Sequence, residues 1–166
     1  MELFANDTIY CCVFYELIYL SNFGVDEQRV EIWGSGKPMR EFLWSEDMAD
    51  ACVFLMENRN FKDTFEAQAE SPNPNIGTSG ESKQSVKPHE IRNTHINIGT
   101  GKEISIKELA ETIKEVIGFS GELVFNAEKP DGTMRKLTDS SKLAQLGWKY
   151  KVELREGIER MWGWYL

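Results

Sequence analysis

The sequence predicts an α/β domain built from a small mixed sheet with helices packed on it. Three observations carry this. Short apolar runs at 30–33, 95–99 and 122–126 end in glycine turns or polar residues. Stretches of helical period with start and stop signals alternate with them. No internal repeat organises the chain.

Taken in order, VEIW (30–33) reads as a strand closed by the Gly34-Ser35-Gly36 turn. Ser45 then reads as an N-cap, with Glu46 and Asp47 where a helix dipole favours acids. Met48, Cys52, Leu55 and Met56 recur at helical spacing, so 46–57 is expected to be an amphipathic helix with these residues inward. HINIG (95–99) is expected to be a strand running into Gly99-Thr100-Gly101. Ser105-Ile106-Lys107-Glu108 matches a capping box, and Ile106, Leu109, Ala110, Ile113 and Ile117 line one face of the helix it opens. Gly118 stops that helix. ELVFN (122–126) is a further strand, EKPDGTMRK a loop, and Asp139 is expected to cap a short helix ended by Gly147. The last helix, about 154–166, is expected to turn Leu154, Ile158, Met161, Trp162 and Tyr165 inward.

The organisation expected is an unassigned apolar N-terminal segment at 1–29, then one domain over 30–166 with a polar loop at about 66–93. Residues 9–20 (IYCCVFYELIYL) are apolar but shorter than the ~20 residues a spanning helix needs, and Glu16 breaks them. They read as core, with no targeting signal elsewhere, so neither a membrane partner nor a compartment other than the cytoplasm is expected. A net charge of −8 argues against nucleic acid and anionic membranes as partners, since both favour basic surfaces. It leaves room for a small anion held by a few local cations. Cys11, Cys12 and Cys52 have neither disulfide nor metal spacing, which fits a reducing compartment and no metal site.

Catalytic and cofactor motifs are thin. Lys37 follows a glycine turn, but Pro38 stands where a phosphate loop needs Ser or Thr. Neither Gly34-Ser35-Gly36 nor Gly99-Thr100-Gly101 has the third glycine of a dinucleotide fingerprint, since Met39 and Ile104 occupy that place. His89 and His95 have no acidic orienting partner nearby in sequence, and no Tyr-x-x-x-Lys is present. No catalytic and no cofactor-binding residue is therefore expected in this chain.

Binding chemistry is better represented. Arg40 follows the rigid turn and carries a planar fork of donors suited to phosphate. Trp33, just before that turn, reads as core by residue type, or by its place as a flat face for a base or sugar. The loop Lys129-Pro130-Asp131-Gly132-Thr133-Met134-Arg135-Lys136 sets three cations around one carboxylate. That carboxylate could accept from a base edge or a sugar hydroxyl. The plainer reading of both loops is surface turns with salt bridges.

IWGSGKPMREFL, the helix DMADACVFLMEN, HINIGTG, ISIKELA, KPDGTMRKL and LGW, in that order, resemble the C-terminal part of the GDP-L-fucose synthase family. These are extended short-chain dehydrogenase/reductases that convert GDP-4-keto-6-deoxy-D-mannose to GDP-L-fucose with NADPH. The resemblance covers about 30–58 and 94–166. It implies the substrate domain of that fold without its Rossmann half, and substrate contacts at Trp33, Arg40, Asp131 and Lys136, with Arg40 on the diphosphate. It also implies NADPH as a cofactor of the family, supplied by an N-terminal half that holds the glycine-rich loop, the reductive Ser, Tyr and Lys and the epimerising Cys and His. None of these is matched here, so NADPH is not expected to bind this chain alone. Where family members read R-E-F-L-H-V-D-D, this chain has Trp44-Ser45-Glu46-Asp47 after R-E-F-L. The expected partner is a GDP-sugar, with a homo-oligomer or another chain covering the face that a dinucleotide domain would occupy. The rival expectation is a non-catalytic module binding a GDP-sugar or a partner chain.

Overall fold

The computed structural model describes residues 29–66 and 93–166. Expectations for 1–28, Cys11 and Cys12 included, and for 67–92, His89 included, lie outside the described residues. The elements run β1 (Arg29–Trp33), β2 (Met39–Glu41), α1 (Ser45–Asn58), α2 (Asp63–Glu66), β3 (Glu103–Ser105), α3 (Ile106–Ile117), β4 (Glu122–Asn126), α4 (Ser141–Gln145) and α5 (Leu154–Tyr165). The mixed α/β class is as expected. The sheet is split in two, with β1 parallel to β4 and β2 antiparallel to β3.

The described residues fall into two compact units. The first comprises 29–44, 102–137 and 152–166. Val30 and Ile32 alternate inward from β1, and parallel pairing with Leu123 and Phe125 of β4 sets the register. Against them packs α3, whose Ile106, Leu109, Ala110, Ile113 and Ile117 are all buried, joined by Ile158 of α5. Each buried aliphatic side chain of this kind contributes about 1.5–3 kcal/mol. Both ends of α3 are closed as the sequence indicates. Ser105 Oγ accepts from Glu108 N at 3.1 Å while Glu108 Oε2 accepts from Ser105 N at 3.0 Å. At the other end Gly118 is left-handed, and Phe119 N–H reaches back to Lys114 O at 3.0 Å.

The second unit comprises 45–66, 93–101 and 138–151. Ala51, Leu143, Leu146 and Trp148 are its buried apolar residues, and Trp148 Nε1 donates to Asp50 Oδ2 at 2.9 Å. Buried Asp47 accepts from Lys151 N at 3.0 Å. Arg59 Nε donates to Leu146 O at 2.9 Å, tying the end of α1 to the turn after α4.

Three expectations are corrected. HINIG forms no strand: 93–98 carries no regular structure. At its start Lys142 Nζ donates to His95 O, and also to Asn93 O just before the run. The inward face of α1 is Asp47 and Ala51, whereas Met48, Cys52 and Met56 are exposed. Apolar spacing could not foresee this, because a hydrogen-bonded carboxylate takes the inward position. In α5, Ile158 is buried and Leu154 and Trp162 pack on the core, but Met161 and Tyr165 are exposed. Tyr165 stacks on Trp162 instead, with ring centroids 5.9 Å apart.

Candidate functional site

The Gly-Ser-Gly-Lys-Pro turn is anchored on three sides. Gly34 N–H extends the β1–β4 ladder to Asn126 O at 2.9 Å. At the start of α3, Ile106 N–H and Lys107 N–H donate to Pro38 O and Gly36 O at 3.0 and 2.9 Å. Helix-start donors have no partner within the helix, so the turn's carbonyls satisfy them. The third anchor is Asp131: Oδ1 accepts from Ser35 N at 2.5 Å and Oδ2 from Ser35 Oγ at 2.7 Å.

Two glycines make these approaches feasible. Gly34 sits at φ +93°, and a Cβ there would lie 2.6 Å from Asp131 Oδ1. Gly36 sits at φ +74°, where a Cβ would lie 2.7 Å from the Phe125 ring. Both the backbone sign and the space demand glycine. Ser35's hydroxyl, then its amide, hold the Asp131 carboxyl below its ordinary value, and the charge of Lys37 acts in the same direction.

Trp33 ends β1 with its indole 66% exposed, so the expectation of a core residue fails. Lys129 Nζ lies 5.0 Å above that ring, a cation–π contact made by one of the three loop cations. The β2 strand carries Arg40 opposite Ile104, with Met39 opposite Ser105. On its other side Met39 bridges Arg135 in parallel, and Met39 N–H donates to Met134 O at 2.8 Å. Arg40 and Lys136 therefore each follow the bridged pair on adjacent segments. Both are half-buried.

Their charges are treated differently from that of Arg135. Arg135 grips Glu103 through two bonds, Nε to Oε2 at 2.9 Å and the second nitrogen to Oε1 at 2.7 Å. Among the described residues the Arg40 side chain makes one hydrogen bond, to Met39 O at 2.7 Å. Among the described residues no carboxylate pairs with Arg40 or Lys136. The first unit thus brings Trp33, Arg40, Asp131 and Lys136 onto connected segments. Sequence reasoning missed Ser35 and Glu103. Ser35 lies 96 positions from Asp131, and no sequence signal links them.

Among the described residues no cluster of three or more His, Cys, Asp or Glu could hold a metal, and no helix is long and apolar enough to cross a membrane. The first glycine turn does not fit a dinucleotide's pyrophosphate either. The Ser35 amide is committed to Asp131, whose negative charge would repel a phosphate placed there.

Comparison with known proteins shows what the chain is similar to. Residues 18–68 match the NAD dependent epimerase/dehydratase family. The chain is 46% identical over 137 residues to a putative GDP-L-fucose synthase 2 of Arabidopsis thaliana, covering 82% of this chain and 32% of that protein. Against the GDP-L-fucose synthase of Escherichia coli it is 41% identical over 137 residues, covering 82% and 36%. Its fold matches a GDP-mannoheptose C4 reductase of Campylobacter jejuni with NADP bound, at TM-score 0.66 and 43% identity, covering 93% of this chain and 42% of that one. The chain is similar to the C-terminal part of the GDP-L-fucose synthases, and spans about a third of the length of these curated relatives.

Proposed function

We propose that this chain is the nucleotide-sugar grip of a GDP-L-fucose synthase-like protein, a cytoplasmic one by family. In this reading Arg40 and Lys136 take the diphosphate. Trp33 offers an indole face to the base or sugar, and Asp131 has acceptor capacity left for a ligand hydroxyl or base edge. The observation that carries the reading is the pair of half-buried cations on adjacent segments without carboxylate partners among the described residues, next to an arginine that has one. A half-buried guanidinium with most of its donors unused suits an anion that arrives with the ligand. Binding of this kind holds the sugar in register for chemistry supplied by other residues. The whole-family reaction, conversion of GDP-4-keto-6-deoxy-D-mannose with NADPH, is proposed only for a protein that also carries the dinucleotide-binding half.

Calorimetric titration of GDP-mannose into the full chain and into Arg40→Ala tests the reading. Loss of a charge-assisted phosphate contact is expected to weaken binding by about 1.5–3 kcal/mol, or roughly 10- to 150-fold. A folded chain that binds no GDP-mannose would overturn it.

A second reading, a module that binds a partner chain, draws on the apolar end of α5, where Trp164 is 90% exposed and Leu166 80%. Unpaired apolar surface of this kind marks interfaces. A discrete oligomer on a sizing column that Trp164→Ala dissolves would favour it.

A further inference from the structure

We propose that Ser35 is a positioning residue for the ligand grip: its amide and hydroxyl hold both oxygens of Asp131, and so set Arg40 and Lys136 in one register before any ligand arrives. This rests on the nucleotide-sugar reading above.

Arg40 is borne by β2, which leaves the Gly-Ser-Gly turn, whereas Lys136 is borne by the loop that follows β4. The two segments are far apart in sequence. One direct link between them is the backbone pair of Met39 with Met134 and Arg135, at 2.8 Å for the hydrogen bond. A second is the Ser35–Asp131 pair, at 2.5 and 2.7 Å. Two donors on one residue, aimed at the two oxygens of one carboxylate, fix its orientation as well as its distance. Lys37 N–H in turn donates to Ser35 Oγ at 3.3 Å, so the hydroxyl also steadies the turn that leads to Arg40.

Geometry at Gly34 supports a built contact. The turn places a residue without a Cβ where any Cβ would strike Asp131 Oδ1 at 2.6 Å. Two cations that must reach one diphosphate lose affinity when their segments drift, because each contact then has to be ordered at the moment of binding. The hydroxyl of Ser35 removes that cost in advance without touching the ligand.

The test titrates GDP-mannose into the full chain as wild type, Ser35→Ala, Ser35→Thr, Lys136→Ala and the double variant Ser35→Ala/Lys136→Ala, with thermal melting of each. Ser35→Ala is expected to weaken binding by about fivefold to tenfold, less than loss of a direct phosphate contact, because the amide bond to Asp131 remains. Ser35→Thr, which keeps the hydroxyl, is expected to bind within about twofold of wild type. The double variant is expected to lose less than the product of the single losses, since a misplaced Lys136 has less to lose. Wild-type affinity in a folded Ser35→Ala, strict multiplicativity in the cycle, or failure of Ser35→Thr to restore binding would each overturn the positioning role while leaving the grip intact. A folded wild type that does not bind GDP-mannose would overturn the nucleotide-sugar reading, and the positioning role with it. If Ser35→Ala melts far below wild type, the Asp131→Asn variant replaces it, with the same loss of coupling to Lys136 expected and additivity overturning the proposal.

Discussion

Arg135 lies bidentate on Glu103, at 2.9 and 2.7 Å, while the next residue, Lys136, has no carboxylate partner among the described residues. Two neighbouring cations of one loop thus have opposite fates. The charge of Arg135 is spent on tying the loop to β3, and Glu103 raises its guanidinium further above the ordinary value through hydrogen bonding and charge. In the proposed grip, Lys136 is the cation left for an incoming anion.

This division predicts a split in mutational effects. Lys136→Ala is expected to weaken GDP-mannose binding by roughly tenfold or more, as loss of a charge-assisted contact does. Arg135→Ala is expected to change it less, since the Arg135 side chain is engaged with Glu103, whose side chain is 15% exposed, and is not left for a ligand. Calorimetry on both variants checks the order, and equal losses would contradict it.

Gly34→Ala strains a backbone at φ +93° and drives a methyl group to 2.6 Å from Asp131 Oδ1. A non-glycine residue held in such a region costs on the order of 1–3 kcal/mol. Urea denaturation should show a loss in that range, whereas Gly163→Ala, where a Cβ meets nothing, should not.

The capping box of α3 gives a narrower expectation. Ser105→Ala removes the acceptor for Glu108 N–H and is expected to cost about 1 kcal/mol. Ser105→Thr should retain most of the stability, because Thr keeps the hydroxyl that accepts from Glu108 N–H and donates to Glu108 Oε2. Thermal melting of the two variants decides.

Core and surface separate cleanly in two helices. Ile113→Ala empties a site that is 2% exposed and is expected to cost about 2–5 kcal/mol. Met56→Ala, at 76% exposure, is expected to stay within about 0.5 kcal/mol of wild type. Denaturant midpoints for the pair also test the corrected orientation of α1.

Acid dependence follows from the carboxylates that the fold holds low. Asp131, bonded by Ser35, and Asp50, bonded by Lys151 and Trp148, lie below the ordinary 3.8. Glu108, bonded by Ser105, and Glu115, bonded by Arg155, lie below 4.5. A depressed carboxyl contributes stability that is complete above its unfolded value and is lost as pH falls through its folded one. Melting temperature should therefore hold from neutral pH to about 4.5 and decline below it. Carbonyl-carbon NMR should put the midpoint of Asp131 below 3.8 in wild type and nearer to it in Ser35→Ala. An Asp131 midpoint above 3.8 in wild type would contradict the bonding described.

The sequence by itself determined what depends on neighbours along the chain. The inward face of α3, its capping box and its stop at Gly118 follow from local period and local hydrogen bonds, and all three stand in the structure. Strand β4 falls where its apolar run falls. The two short motifs that carry Trp33, Arg40, Asp131 and Lys136 were legible too, and their role as one grip is the proposal made above. Tertiary structure alone decided which charges are spent and which are left. Ser35 takes both oxygens of Asp131 and Glu103 takes Arg135, across 96 and 32 positions of chain. It also turned Asp47 inward and Met56 outward on α1, and gave the carbonyls of Asn93 and His95 to Lys142 where a strand was expected. The physical reason is the same in each case: a polar group is satisfied by whichever partner folding brings within about 3 Å, and local sequence does not encode that partner.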